Sequence, residues 1–156
     1  MTDLRGFTAM SERLEPKQVV QVLNDYFEIM VDLVLKYHGT INEFIGDSLL
    51  VIFGAPHPME DQTQRAVACA VEMQNAMADV NKRNRTNALP ELGMGIGLNE
   101  TEVVVGNIGS SKRSKYAVVG NGVNMTSRIE SYTAVGQIIA SRSVVEEVGD
   151  ILLIDS

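Results

Sequence analysis

Thr40-Ile41-Asn42-Glu43-Phe44-Ile45-Gly46-Asp47-Ser48-Leu49-Leu50-Val51-Ile52-Phe53 is the stretch that decides the fold. Two runs rich in branched and aromatic residues, Thr40 to Ile45 and Leu49 to Phe53, flank a Gly-Asp-Ser turn, which is the pattern of a β-hairpin. Gly54-Ala55-Pro56 closes it. Working back towards the N-terminus, Pro16 suits the start of a helix, with Glu15 just before it. Val19, Leu23, Tyr26/Phe27, Met30, Val34 and Tyr37 then recur at helical spacing, and His38-Gly39 stops the helix. Working forward, a second helix from Asp61 to Lys82 carries Ala66, Val67, Ala70, Val71, Met77 and Val80 on its apolar face. Arg83 to Pro90 reads as a polar loop. Gly93 to Leu98 and Glu102 to Gly106 read as a second hairpin, and Lys115 to Val119 as a further strand. Gly120-Asn121-Gly122 turns into a helix through Tyr132, Gln137 to Ala140 is a strand, and Ser143 to Val148 a short helix.

With one strand at Asp3 the order becomes β-α-α-β-β-α-β-β, an α+β domain whose antiparallel sheet has helices packed on one face. Only two residues precede Asp3, so the opening strand is expected to be almost absent. The length of 156 residues fits one domain, 1–156, able to bury a sizeable core. A net charge of −7 argues against nucleic acid or anionic membrane as a partner, because both favour basic surfaces. The lone Cys69 sits in an apolar helical run, which excludes a disulfide within the chain and fits a small buried core residue. No apolar run reaches the roughly 18 residues needed to span a bilayer, and no signal peptide is recognisable. The expected location is therefore cytoplasmic, either alone or as the cytoplasmic part of a longer protein.

Three stretches carry the chemistry. Asp3 and Asp47 offer two carboxylates, the ligands a hard divalent cation such as Mg²⁺ takes together with phosphate oxygens. At the ends of adjacent strands they can hold two such ions, which would activate an attacking oxygen and neutralise a leaving pyrophosphate. Either Asp alone reads equally as a turn residue. Gly6, Phe7 and Thr8 follow at a strand-to-helix junction, where free backbone N–H groups bind phosphate and Gly6 allows close approach. Asn124 and Arg128, at i and i+4, share one helix face. Arg128 can stabilise charge on a phosphoryl group in transit, and Asn124 can fix a ribose oxygen. An isolated pair of this kind is more often a solvated polar face. Glu43 lies on a strand that otherwise reads as buried. Its carboxylate can accept from the two adjacent N–H donors of guanine, whereas adenine presents an acceptor there. Alternation alone equally allows Glu43 to face water. Lys112, Arg113 and Lys115 read as solvated loop charge.

Taken together, Asp3 to Thr8, Phe44 to Pro56, Val103 to Ser110, and Val123-Asn124 through Arg128-Ile129-Glu130 resemble the motifs of the class III adenylate/guanylate cyclase catalytic domain. They stand in family order over nearly the whole chain, with a likeness to cyanobacterial-type guanylyl cyclases. The resemblance implies a ferredoxin-like antiparallel sheet, here with its first strand and C-terminal end truncated. It implies two Mg²⁺ or Mn²⁺ ions on Asp3, Asp47 and the carbonyl of Leu4, a ribose oriented by Asn124, and a transition state stabilised by Arg128. It also implies a head-to-tail homodimer in which Asp3 and Asp47 come from one subunit and Glu43, Asn124 and Arg128 from the other. The reaction would convert a nucleoside triphosphate to its cyclic 3′,5′-monophosphate and pyrophosphate, with regulatory domains on the parent chain. Adenylyl forms usually carry Lys at the position of Glu43 and Asp or Thr at that of Ala117, so the pair leans to GTP. The alternatives are ATP as substrate, or a non-catalytic nucleotide-binding or dimerisation module. Where the family has Thr-Gly after Asn99, this chain has Glu100-Thr101.

Overall fold

A computed structural model describes residues 1–149. Strand β1 (Thr2–Arg5) leads through helix α1 (Phe7–Ser11) to helix α2 (Pro16–Lys36). Strands β2 (Thr40–Ile45) and β3 (Ser48–Ile52) precede helix α3 (Gln62–Thr86). Strands β4 (Gly93–Leu98), β5 (Val104–Gly109) and β6 (Ser114–Val119), helix α4 (Asn121–Ser131), strand β7 (Ile138–Ala140) and helix α5 (Arg142–Val148) complete the order. The main sheet runs β2-β3-β1-β4-β7, antiparallel except for the β4–β7 pair, and β5 and β6 form a separate two-stranded ribbon.

The opening strand, expected to be almost absent, is instead the central strand of the five. Its four residues pair with β4 along their whole length, and Thr2 also pairs with Leu49 of β3. The pairing of Gly93 to Leu98 also differs from expectation. It does not turn back on the next strand; it takes its partners from β1 and β7, and the second hairpin is β5–β6, turned at 110–113. Glu100-Thr101 therefore sits in a connection between two sheets rather than in a tight turn, and the Thr101 side chain packs against Gly122. The other expected elements stand close to where periodicity puts them, with α3 extending four residues beyond Lys82.

Alternation along β1 and β4 sorts the two faces of the sheet. Thr2, Leu4, Met94 and Ile96 are all at most 3% exposed, and the three apolar ones join the main core. There α2 contributes Val22, Tyr26, Met30 and Val34 at four-residue spacing, and α3 contributes Cys69, Met73, Met77 and Val80. Tyr26, Met30 and Val34 of the expected series are in this stripe, Val22 joins them, and Val19, Leu23, Phe27 and Tyr37 flank it partly buried. Cys69 is 2% exposed, and burial pushes its thiol up to about 11, so it is an inert core residue. On the opposite face β4 is bare. A Cβ on Gly97 would lie 2.6 Å from the Glu130 backbone nitrogen, and one on Gly93 2.6 Å from a Val135 methyl. Thus α2 and α3 cover one face, as expected, while α4 and the segment after it lie against the glycine row of the other.

Gly97→Ala should cost ~1–3 kcal/mol, because the clash is with helix backbone that cannot rotate away. Urea unfolding of the purified domain measures it. A change in the midpoint with the slope preserved is the expected result.

Candidate active site

The tip of the β2–β3 hairpin is tied to the end of β1 by two reciprocal hydrogen bonds. The Leu4 amide donates to Asp47 Oδ2 at 3.2 Å, and the Ser48 hydroxyl donates to Asp3 Oδ1 at 2.9 Å. The turn at Gly46, with φ +60°, delivers Asp47 to this point. Asp3 and Asp47 thus meet, although they are far apart in sequence. Burial and the neighbouring Asp3 carboxylate push Asp47 up from 3.8 to about 6, despite two backbone N–H groups that favour its charged form. Arg5 gives Asp3 only a loose partner, with Nη1 3.6 Å from Oδ2.

Two carboxylates with unspent negative charge suit a hard divalent cation. Among the described residues no group of three or more His, Cys, Asp or Glu is gathered for a metal. That donor set fits Mg²⁺, which is commonly held by one or two carboxylates and completed by substrate phosphates and water. Gly6 follows directly, in the left-handed conformation with φ +69°, and caps α1. The first turn of a helix leaves its amides at Phe7 and Thr8 without intrahelical acceptors.

Glu43 does not stand alone on a buried strand. β2 is an edge strand, with Phe44 and Ile45 about half exposed, and a β-bulge between Ile41 and Glu43 shifts the register. Its carboxylate is 2.8 Å from Lys115 Nζ, so Lys115 is not merely solvated loop charge. Both side chains are roughly half exposed, which keeps the pair weak in water. Ala117 stands two residues beyond Lys115, on the same face of β6.

Asn124 and Arg128 do not join the aspartates within one chain. Gly122, Thr126 and Glu130 form the inner row of α4, so residues two positions on from the first two point away. Both are exposed, and neither makes a side-chain hydrogen bond or ion pair among the described residues. Phe44, Ile45, Val104, Ile108, Val119 and Met125 are also exposed, all on β2, the ribbon and α4.

The family model for the adenylate and guanylate cyclase catalytic domain matches residues 1–151. The chain belongs to that family. The class III cyclase domain is also what the solved relatives show. The crystal structure of the guanylyl cyclase Cya2 superposes with a TM-score of 0.97 at 54% identity, over 99% of this chain and 79% of that one. The adenylyl cyclase CyaB from P. aeruginosa gives a TM-score of 0.92 at 33% identity, over 96% and 78%. Among curated relatives, adenylate cyclase 1 of Rhizobium meliloti is 31% identical over 97% of this chain and 23% of its own length. The Anabaena cylindrica adenylate cyclase is 34% identical over 84% and 26%. The chain thus spans about a quarter of the length of these two. No helix among the described residues is long and apolar enough to cross a membrane.

Arg5, Glu130 and Lys115 carry much of the electrostatics of this cyclase domain, yet the motifs alone assign them nothing. Strand alternation is the signal that finds two of them. It puts Arg5 on the face of Asp3, and Lys115 on the face of Ala117. Glu130 becomes visible only through its burial, at 5% exposed.

The raised Asp47 makes the metal-free domain pH-sensitive. Its protonated form favours the folded state, a contribution fully present below 3.8 and lost as pH rises through about 6. Thermal melting in chelator should show stability falling across that window. Asp47→Asn should remove this part of the fall and melt no lower than the parent at pH 7.

Proposed function

We propose that this domain converts a nucleoside triphosphate, GTP in preference to ATP, to the cyclic 3′,5′-monophosphate and pyrophosphate at the interface of a head-to-tail homodimer. The observation that carries the reading is the under-neutralised Asp3–Asp47 pair beside a phosphate-sized turn, in a chain whose family is that of the cyclases. Asp3 and Asp47 would hold two divalent ions, Mg²⁺ or Mn²⁺, with the Leu4 carbonyl as a further oxygen ligand. When bound, the ions supply Lewis acidity at the ribose 3′ hydroxyl and charge for the leaving pyrophosphate. The amides of Gly6, Phe7 and Thr8 hold phosphate oxygens. The ribose 3′ oxygen bonds to the α-phosphorus as the α–β bridge breaks, and the hydroxyl proton goes to solvent. Arg128 stabilises the charge on the phosphoryl group in transit, and Asn124 fixes the ribose.

Support for the dimer comes from the separation of the two halves. Asp3 and Asp47 sit at the end of β1, while Asn124 and Arg128 project from α4 without a side-chain partner among the described residues. Large apolar side chains on β2, the ribbon and α4 remain exposed. A two-fold arrangement would give two equivalent sites, each taking its aspartates from one chain and its Asn and Arg from the other. Regulatory domains would lie elsewhere on a longer parent protein, with this domain in the cytoplasm.

Glu43 and Ala117 support GTP. A carboxylate accepts from both donors on the pairing edge of guanine, and the small Ala117 leaves room beside it. Lys115 pairs with the Glu43 carboxylate. The two must part, or share the carboxylate, when a base arrives. Half exposure of both makes that exchange inexpensive.

Incubation of the purified domain with each triphosphate and Mn²⁺, followed by chromatography of the products, tests the reading. Cyclic GMP in excess of cyclic AMP is expected. No cyclic product from either nucleotide would refute the assignment, and an excess of cyclic AMP would refute only the choice of base. Arg128→Ala should lower kcat roughly 10²–10³-fold with folding intact. Glu43→Lys with Ala117→Asp should shift preference towards ATP, and an unmoved preference would show that these positions do not read the base.

A further inference from the structure

Arg5 looks at first like part of the metal half-site, two residues from Asp3 on the same face of β1. Its contacts point elsewhere. Nη1 stays 3.6 Å from Asp3 Oδ2, beyond good hydrogen-bond reach. Nη2, with two hydrogens to give, lies within hydrogen-bond reach of the Glu130 carbonyl and Glu130 Oε1 in the last turn of α4 and of the Thr133 hydroxyl two residues past its end. The Glu130 side chain is 7% exposed and that of Arg5 23%, so water competes little for this contact. The bare backbone of β4 makes it possible. A Cβ on Gly95 would sit 1.8 Å from Thr133 Oγ1 and 2.7 Å from Arg5 Nη2.

A cation at the C-terminal turn of a helix also meets the negative end of its dipole. The contact therefore fixes both the height and the rotation of α4 over the sheet. Glu130 is on the inner row of that helix. Arg128, two residues earlier, projects from the outer side, and Asn124 lies one turn further back on that side. The angle at which the outer row is presented follows from how the inner row is held.

We infer that Arg5 is a positioning residue that acts across the dimer: by pinning Glu130 it aims the Asn124 and Arg128 of its own chain into the site whose aspartates the partner subunit holds. This rests on the head-to-tail reading given above. It assigns to a residue of the Asp3 segment a duty in the site to which that Asp3 does not belong.

Mixed dimers separate the two duties. A chain carrying Asp47→Asn, mixed with one carrying Arg128→Ala, leaves one site intact in each heterodimer. The Arg128→Ala chain gives that site its aspartates, and the Asp47→Asn chain gives it Asn124 and Arg128. The neutral, volume-matched pair Arg5→Met with Glu130→Gln is then added to one chain or the other. In the Asp47→Asn chain it should cut the restored kcat roughly 10–100-fold, with KM for the metal–nucleotide changed much less. In the Arg128→Ala chain the loss should be at least several-fold smaller. Arg5→Lys, which keeps the charge but not the fork, should recover part of the loss in the first arrangement. Hydrogen exchange of the nucleotide-free, metal-free domain gives a readout independent of turnover. The amides of α4 should lose protection in the Arg5→Met/Glu130→Gln chain while those of β1 keep theirs. Equal losses in both arrangements, or a larger loss when the aspartate-giving chain is altered, would overturn the inference. So would unchanged protection of α4. Absence of any restored activity in the parent mixture would instead refute the head-to-tail site itself. A circular-dichroism melt of each chain confirms that the altered subunits enter the mixture folded.

Discussion

The structure turns on a four-residue strand with two incompatible faces. On one side Thr2 and Leu4 are sealed into the apolar core, where the Thr2 and Tyr26 hydroxyls lie 3.3 Å apart. On the other, Asp3 and Arg5 look onto the glycine row of β4. Because the strand repeats every two residues, neither face can slip without burying the charges or exposing the core. That register places the carboxylates, and the hairpin tip is stapled to it by the Leu4–Asp47 and Ser48–Asp3 hydrogen bonds.

The site is held under electrostatic tension rather than built for stability. Asp3 is a like charge beside Asp47, and burial raises Glu130 as well, with Asp3 the next cause. Arg5 offsets some of this, although its Nε is buried without an acceptor among the described residues. A cluster with this excess of negative charge suits a divalent cation, since a bound cation would remove the repulsion that folding had to accept. The cost of the site and its affinity share one origin.

Much of this was legible in the sequence. Helical spacing in α2 and α3, the turn at Gly46-Asp47 and the strand–glycine–helix junction at Gly6 all rest on local rules, and local rules survive folding. The pairing of β4 was not legible, because Gly93 to Leu98 has the composition of a hairpin arm while its partners lie far away in sequence. The brevity before Asp3 also misled, since four residues suffice for a central strand when neighbours supply hydrogen bonds on both sides. Asp3 and Asp47 could be paired by their motifs. The resemblance implies that Asn124 and Arg128 serve the partner's site, but which row of α4 turns outward was not legible, because it depends on the row that the glycines admit.

The glycine track under α4 has a mechanical meaning. Interlocking side chains resist sliding, and β4 offers none at Gly93, Gly95 or Gly97. With the sheet so smooth beneath it, α4 takes its lengthwise position from contacts at its two ends, Thr101 against Gly122 and Arg5 on Glu130. A rod clasped at both ends shifts as one piece if a clasp is loosened, without any of its turns unfolding.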